Sequence, residues 1–209
     1  RTGENREGGR YDKLKEAAGK MYPVSRIAAC WSAQDCMTTD CVPFIGPYAA
    51  DRPDWYVATG FCKWGMSSAM VSAMMLKDMI CGITNPYTEV FAPSRFSGEE
   101  IPQLLEDTGK SVKGLTKRFF HMPQETVDEL PRGHGGVIDT PQGKTGVYKT
   151  EDGQLFQVDI VCPHMGCELT WNPDERSWDC PCHGSRFDYK GNRIDGPAEE
   201  GIALESSFE

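Results

Sequence analysis

The hydrophobic positions in the first half of the chain predict alternating helices and strands. Residues 11–20 combine helix-forming residues with a charged face, and residues 27–31 and 55–59 are short apolar runs typical of strands. In residues 66–80 the apolar side chains go most of the way round a helix, which predicts a buried helix that ends at Gly82. We assign this Met-rich helix to core packing and give it no chemistry.

A capping-box pattern at Ser97 and Glu100 predicts a further helix through Leu104 that continues, after Gly109, to Phe119. Residues 120–132 are then predicted to form a linker. The Gly-rich segment 133–136 precedes a strand-like run, and we interpret it as a flexible entry to a second domain.

The second half has the short, separated apolar runs of an antiparallel β fold. Pro-Gln-Gly and Glu-Asp-Gly lie between these runs and are typical of turns. Strands are predicted at residues 137–139, 146–150 and 155–161.

Composition and charge narrow the class of protein. With 209 residues, 39% hydrophobic and 25% charged, the chain is long enough for one large or two ordinary globular domains. A formal charge of −9 argues against nucleic acid and anionic membrane as partners. The first ten residues lack the apolar core of a signal peptide, and the longest apolar stretch is too short to span a membrane. We therefore expect a cytoplasmic protein.

Nine cysteines are present, and four of them lie in residues 162–185. The other five have no spacing typical of a disulfide framework, and we interpret them as reduced, mostly core residues. They are Cys30, Cys36, Cys41, Cys62 and Cys81.

Residues 162–185 hold the strongest chemical signal. Residues 162–167 read Cys-Pro-His-Met-Gly-Cys and residues 180–185 read Cys-Pro-Cys-His-Gly-Ser; we call them the first and second cluster loops. Together they supply two Cys and two His at metal-ligand spacing, and each loop carries one further cysteine. The four candidate ligands are Cys162, His164, Cys180 and His183.

Two kinds of metal site use mixed Cys and His ligands. A structural zinc ion would take four ligands, but it gives no reason for the additional Cys167 and Cys182 at matching places in the loops. A two-iron cluster explains the ligand set better, because one iron takes both thiolates and the other takes both imidazoles. Trp171 and Trp178 flank the insert between the loops, and we expect them to pack beneath the site.

With these residues the segment resembles the Rieske [2Fe-2S] family, in the disulfide-bearing form of respiratory and photosynthetic cytochrome complexes. The resemblance implies that Cys162 and Cys180 hold an inner iron. It also implies that His164 and His183 hold an outer iron through Nδ1, with Nε2 at the surface where electrons enter or leave.

The same resemblance assigns roles to residues around the ligands. It implies a disulfide between Cys167 and Cys182, a hydrogen bond from Ser185 to a bridging sulfide, and a covering loop that contains Pro197. Where high-potential members place a Tyr, this chain has Phe187. Because a hydrogen bond to sulfur stabilises the reduced cluster, we expect a potential in the lower or middle part of the roughly −150 to +300 mV Rieske range.

Two loops of the first half resemble the FAD-dependent amine and D-amino-acid oxidase family. Residues 40–46 match its D-x-x-P-x-I-G turn, and residues 60–66 match its Gly-Phe-x-x-x-Gly flavin loop, in the same order and followed by a helix. Glycine lets backbone amides approach the flavin ring closely. The resemblance implies flavin contacts at Gly60, Phe61, Trp64, Gly65 and Met66.

The chain lacks the G-x-G-x-x-G turn that grips the FAD pyrophosphate in such proteins. We therefore interpret it as the C-terminal part of a longer flavoprotein, with FAD bound in the full-length protein. The predicted fold is an α+β fragment of the flavin domain (residues 1–119), a linker (120–132) and an all-β antiparallel Rieske domain (133–209). Ser67 stands where related oxidases carry a carboxylate-binding Lys, so amino-acid substrates are not indicated.

The resulting hypothesis is electron transfer between FAD and an unidentified carrier, with no catalytic residue assigned. The expected partners are the flavin domain of the same full-length chain and that carrier. One alternative is a Rieske oxygenase, which needs a separate 2-His-1-carboxylate iron, although only His121 and His134 remain for it. A zinc-stabilised binding domain is the other.

Overall fold

The computed structural model describes residues 5–23, 26–95, 109, 112, 126–140 and 143–204. The helix predicted from Ser97 to Phe119 lies outside these residues except for Gly109 and Val112, which are both helical, and residues 120–125 of the predicted linker also lie outside them. The chain forms two compact units, one of Arg1–Ser32 with Gly109–Glu209 and one of Ala33–Thr108. We call them the iron-sulfur unit and the middle unit. None of the described helices is long and apolar enough to cross a membrane.

Three helices and nine strands are present in the described residues. The helices are α1 (Asp12–Met21), α2 (Gly65–Ile80) and α3 (Thr88–Phe91). The strands are β1 (Phe44–Ala49), β2 (Arg52–Thr59), β3 (His134–Thr140), β4 (Gly143–Lys149), β5 (Leu155–Asp159), β6 (Thr170–Asn172), β7 (Ser177–Asp179), β8 (Arg186–Asp188) and β9 (Arg193–Asp195).

In the middle unit, α2 and α3 both pack against the β1–β2 antiparallel hairpin. Its entrance turn is held by Arg95, whose guanidinium donates to both carboxylate oxygens of Asp40 at 2.8 and 3.0 Å and lies over the Phe44 ring. Hydrogen bonds from Arg95 hold the pKa of Asp40 well below its ordinary value. This ion pair fixes the Asp turn that the sequence singled out.

Helix α2 occurs where it was predicted, and Gly82 follows its end at a positive φ of 66°. The prediction that it is buried was wrong for most of its surface. Within the described part of the chain, its buried residues are Ser68, Ser72 and Met75, while Met66 is 91% exposed. A two-stranded hairpin covers only one face of a helix, so most of the other large apolar side chains of α2 stay exposed.

Two further expectations for the first half were wrong. Residues 27–31 form no strand and pair with none of the described strands, and Trp31 is largely exposed. Four of the five scattered cysteines, all but Cys62, are exposed rather than buried. All five are free thiols in this structure.

The β-rich part of the iron-sulfur unit contains two antiparallel sheets. One has the order β3-β4-β5 and the other the order β6-β7-β8-β9. Trp178 on β7 lies opposite Trp171 on β6 and Phe187 on β8. Trp178 and Phe187 are fully buried, in a core that also includes Cys162 and Cys180. The expected packing of the tryptophans beneath the cluster loops is therefore present.

Two glycines allow the tryptophans to pack this closely. A Cβ on Gly135 would lie 2.5 Å from the Trp171 ring, and one on Gly146 would lie 2.7 to 3.0 Å from Val158, Ile160 and Trp178. Gly135 also belongs to β3, so the expectation that residues 133–136 form a flexible entry was wrong. The glycines there provide room for an indole ring rather than chain flexibility.

We predict that Gly146→Ala destabilises the protein, because the added methyl group overpacks the core beneath the cluster loops. The expected loss is about 1–3 kcal/mol in the free energy of unfolding. Urea unfolding followed by tryptophan fluorescence measures it. Gly19→Ala is the control, because Gly19 lies in α1 with no atom within 4 Å of its Cβ position. Equal midpoints for the two variants would contradict this account of the core.

Candidate metal centre

The two cluster loops have the same backbone hydrogen bonds. The first follows β5 and precedes β6, and the second connects β7 to β8. In each loop, the N–H of the first residue donates to the carbonyl of the sixth, at 2.9 Å in the first loop and 2.8 Å in the second. The N–H of the fifth residue donates back to the carbonyl of the first, at 2.8 and 3.2 Å.

The fifth residue of each loop must be able to adopt a left-handed conformation. It is Gly166 in the first loop, with φ of 78°, and Gly184 in the second, with φ of 83°. Glycine adopts this conformation without the steric cost that a side chain brings. The Gly that both motifs share therefore has a conformational role in closing the loop.

The backbone of each loop also points amide groups at its own first cysteine. The Cys162 sulfur accepts hydrogen bonds from the backbone N–H groups of His164 and Met165. The Cys180 sulfur accepts the equivalent bonds from Cys182 and His183. Such amide pairs stabilise negative charge on sulfur, which is the state in which cysteine binds a metal.

Cys162 and Cys180 meet in the core, where each is 1% exposed. The Cys180 thiol donates a hydrogen bond to the Cys162 sulfur. That bond, together with the backbone amides, lowers the pKa of Cys162 to about 5. The same bond and burial raise the pKa of Cys180, since one shared proton now lies on it.

The two histidines lie at the outer end of the site. Both rings are exposed, and they meet edge to face with their centroids 5.0 Å apart. The loops thus bring together two buried sulfurs and two exposed imidazoles. His134 is exposed on β3, where its Nδ1 lies 3.0 Å from the Arg132 carbonyl, and His121 lies outside the described residues.

Cys167 and Cys182 form a disulfide that joins the two loops. Their sulfurs and that of Cys180 lie within 4.8 Å of one another. That trio is not a set of metal ligands, because disulfide sulfurs are no longer thiolates. The disulfide leaves Cys162 and Cys180 as the only thiols of the two loops.

Ser185 connects the second cluster loop to the segment that contains Pro197. Its buried hydroxyl donates to the Cys162 sulfur and accepts the backbone N–H of Ala198 at 2.9 Å. Pro197 is exposed and follows a cis peptide bond. Phe187 is fully buried in the same core as Cys162 and Cys180. Ser185 and Phe187 therefore lie at the thiols, while Pro197 is connected to the site through its neighbour Ala198, and its role in covering the cluster stays a prediction.

The residues expected to contact a flavin are in the middle unit. A cavity of about 490 Å³ has four of them in its wall: Gly60, Phe61, Gly65 and Met66. Trp64 is exposed and is not part of that wall. Packing also explains why position 60 is a glycine, because a Cβ there would lie 2.4 Å from the Thr38 methyl group.

The donor set fits a [2Fe-2S] cluster with one sulfur-bound and one nitrogen-bound iron. Two thiols are enclosed and supplied with hydrogen-bond donors, and two imidazoles stand next to each other at the surface. The loop amides that support the sulfurs were not predicted from the sequence, because backbone direction leaves no residue-type signal. The shared Gly at the fifth position was the available clue.

Two family models match the chain. The Rieske [2Fe-2S] domain matches residues 121–205, and the FAD dependent oxidoreductase family matches residues 3–79. Both family resemblances that the sequence indicated are thus confirmed.

Two of the proteins that are similar to this chain are named as iron-sulfur proteins. The Rieske 2Fe-2S iron-sulfur protein YhfW of Bacillus subtilis is 38% identical over 189 residues, which are 90% of this chain and 37% of that protein. The cytochrome b6-f complex iron-sulfur subunit of Synechococcus elongatus is 32% identical over 126 residues, which are 59% of this chain and 66% of that subunit. The chain therefore spans less than two thirds of the length of either relative.

Among solved structures, the plasma membrane Rieske protein PetC3 of Synechocystis PCC 6803 is 31% identical. The match covers 33% of this chain and 71% of that chain, with a TM-score of 0.31.

We predict that the double variant Cys167→Ala/Cys182→Ala is less stable, because the disulfide restricts the unfolded chain across a separation of 15 residues. The expected loss is about 3 kcal/mol in the free energy of unfolding, measured by urea titration. Cys36→Ala, which removes an exposed free thiol, is the control and should leave the midpoint unchanged. A double variant as stable as this control would show that the disulfide does not hold the loops.

Proposed function

Because residues 121–205 match the Rieske [2Fe-2S] domain and residues 3–79 match the FAD dependent oxidoreductase family, we propose that this chain passes single electrons between a flavin and an external redox carrier. The observation that carries the proposal is the arrangement of the four candidate ligands. Two thiols are buried and two imidazoles are exposed, on loops joined by a disulfide.

We assign the inner iron to Cys162 and Cys180 and the outer iron to His164 and His183. When bound, the cluster supplies a one-electron centre whose imidazole ligands raise its potential above that of all-Cys ferredoxins. The chain holds the sulfurs by paired backbone amides and keeps water from them by burial. Of the four ligands only the imidazoles are exposed, so His164 and His183 are the groups that a carrier would contact.

The flavin part of the proposal rests on the middle unit. Its 490 Å³ cavity is lined by the Gly-Phe-x-x-x-Gly loop and the beginning of α2, which supports flavin contacts at Gly60, Phe61, Gly65 and Met66. We propose that the full-length protein is an FAD-dependent oxidoreductase with its flavin domain and Rieske domain in one chain. A cytoplasmic location belongs to the same proposal and is supported by the five free thiols outside the cluster loops.

A Rieske oxygenase is the second candidate, and a zinc-stabilised binding domain is the third. The oxygenase requires two further histidines and a carboxylate around a separate iron. His134 is the one histidine outside the cluster loops in the described residues, and its Nδ1 lies beside a backbone carbonyl. Nothing in the described part of the chain therefore favours the oxygenase over electron transfer.

The direct test is the metal content and spectrum of the purified chain. We expect about two irons and two acid-labile sulfides per chain, a coloured oxidised form and a Rieske-type EPR signal after reduction. His183→Ala should lose this signal, because it removes a ligand of the outer iron. His134→Ala, the matched histidine outside the loops, should keep it. Colourless protein with one zinc per chain would overturn the proposal.

A second prediction concerns the reduction potential. Phe187→Tyr adds a hydroxyl to the core that contains both thiols, and we expect the midpoint to rise. Ser185→Ala removes the hydroxyl that donates to Cys162, and we expect the midpoint to fall. One hydrogen bond of about 0.5–1.5 kcal/mol corresponds to about 20–60 mV for a one-electron couple.

Redox titration of the three proteins measures these shifts. Phe156→Tyr is the control, because Phe156 lies among Tyr189 and Lys190 rather than in the core of the thiols. A midpoint that moves equally in Phe187→Tyr and Phe156→Tyr would contradict a specific effect at the cluster.

A further inference from the structure

The N-terminal segment 5–32 lies in the stretch that matches the FAD dependent oxidoreductase family, yet it is part of the iron-sulfur unit. Its contacts concentrate on residues 173–176, which connect β6 to β7; we call them the β6–β7 turn. The Asp174 carboxylate accepts the backbone N–H groups of Gly9 and Arg10, each at 2.9 Å. It also accepts the side-chain amide of Asn5 at 2.9 Å.

A second group of contacts surrounds Arg186, which begins β8 and is 2% exposed. Its guanidinium pairs with Asp179 at 3.2 Å and with Glu175 at 3.1 Å. Its remaining terminal nitrogen donates to the backbone carbonyl of Ser32 at 2.9 Å. The Tyr11 hydroxyl donates to Glu175 and lies 2.8 Å from the Ser32 hydroxyl.

The N-terminal segment therefore completes hydrogen bonds that the β-rich part leaves open. A buried guanidinium needs acceptors for all of its donors, and the Ser32 carbonyl supplies one of them. Within the described residues, the Asp174 carboxylate accepts three hydrogen bonds from the segment, two of them from backbone amides. Although burial opposes it, the hydrogen bonds from Asn5, Gly9 and Arg10 lower the pKa of Asp174. Asp174 and Arg186 therefore present hydrogen-bonding groups that this particular segment satisfies.

The position of the β6–β7 turn follows from the topology. The chain enters β6 from the first cluster loop and leaves β7 into the second. Because β6 and β7 are antiparallel, both cluster loops lie at one end of this strand pair and the turn lies at the other. The contacts of the segment with Asp174 and Glu175 thus lie at the end away from the cluster loops, whereas Arg186 begins β8 next to the second loop and reaches Glu175 and Ser32 through its long side chain.

We propose that the β6–β7 turn, together with Arg186, is the site at which the Rieske domain binds residues 5–11 and Ser32 of its own flavin domain, leaving the two histidines accessible to a redox carrier. This inference deepens the proposed function and rests on it for the identity of the segment and of the carrier. The partner is chemically defined: backbone N–H groups and an amide for Asp174, a tyrosine hydroxyl for Glu175 and a backbone carbonyl for Arg186.

Hydrogen–deuterium exchange of the whole chain, read by mass spectrometry, tests the contact. In Asp174→Ala we expect peptides that cover residues 5–11 to exchange at least about tenfold faster than in the unchanged chain, as expected for the loss of roughly 1.4 kcal/mol. Asp152→Ala is the matched control, because Asp152 lies in the exposed turn between β4 and β5 and its hydrogen bonds are with Thr150 and backbone groups of the same turn. Equal exchange in the two variants would overturn the proposal, as would an unprotected segment in the unchanged chain.

Two further measurements separate this inference from the function on which it rests. Iron and sulfide content should be the same in both variants and in the unchanged chain, because Asp174 lies away from the cluster loops. If iron is lost only in Asp174→Ala, a role of Asp174 that is confined to docking is overturned. The rate of reduction by dithionite should also be equal, and a faster rate in Asp174→Ala would show that the docked segment covers the histidines. A colourless chain with a protected segment would refute electron transfer and leave the docking contact standing.

Discussion

Charge on two buried sulfur atoms is the constraint on which the second half of this protein depends. A thiolate out of water needs hydrogen-bond donors, and here they come from backbone amides of the loop that carries it and, for Cys162, from Ser185. The amides point correctly only if each loop closes in the same way. That requirement explains the repeated Cys-Pro and Gly positions better than any property of the side chains alone.

The sheets hold these loops at a fixed separation. Strands β6 to β8 are only three residues long, so backbone pairing by itself contributes little, and the stack of Trp171, Trp178 and Phe187 supplies the packing. Gly146 lets β4 and β5 close over Trp178. The disulfide joins the two loops and the indole rings pack beneath them. The loops therefore have little freedom to move apart.

Much of the metal centre could be predicted from the sequence because its signals are local. Ligand spacing, loop glycines and turn residues all lie within a few positions of one another. Features that depend on distant packing were missed or misread. Gly135 has the appearance of a loop residue until the Trp171 ring is placed against it, and the apolar surface of α2 does not reveal which face the hairpin covers. The hydrogen bond from Tyr11 to Glu175 joins residues 164 positions apart, and no local sequence pattern predicts a contact at that separation.

The burial of the Cys167–Cys182 bridge has a consequence for its lifetime in a reducing environment. Thiol exchange needs an incoming thiolate to reach one sulfur in line with the bond. Cys167 is 1% exposed and closed off by the core, so attack on its sulfur requires the loop to open first, whereas Cys182 is only partly covered. While the loop is closed, reductants such as glutathione can therefore attack only the Cys182 sulfur. The bridge can persist for kinetic reasons where exposed disulfides would be reduced.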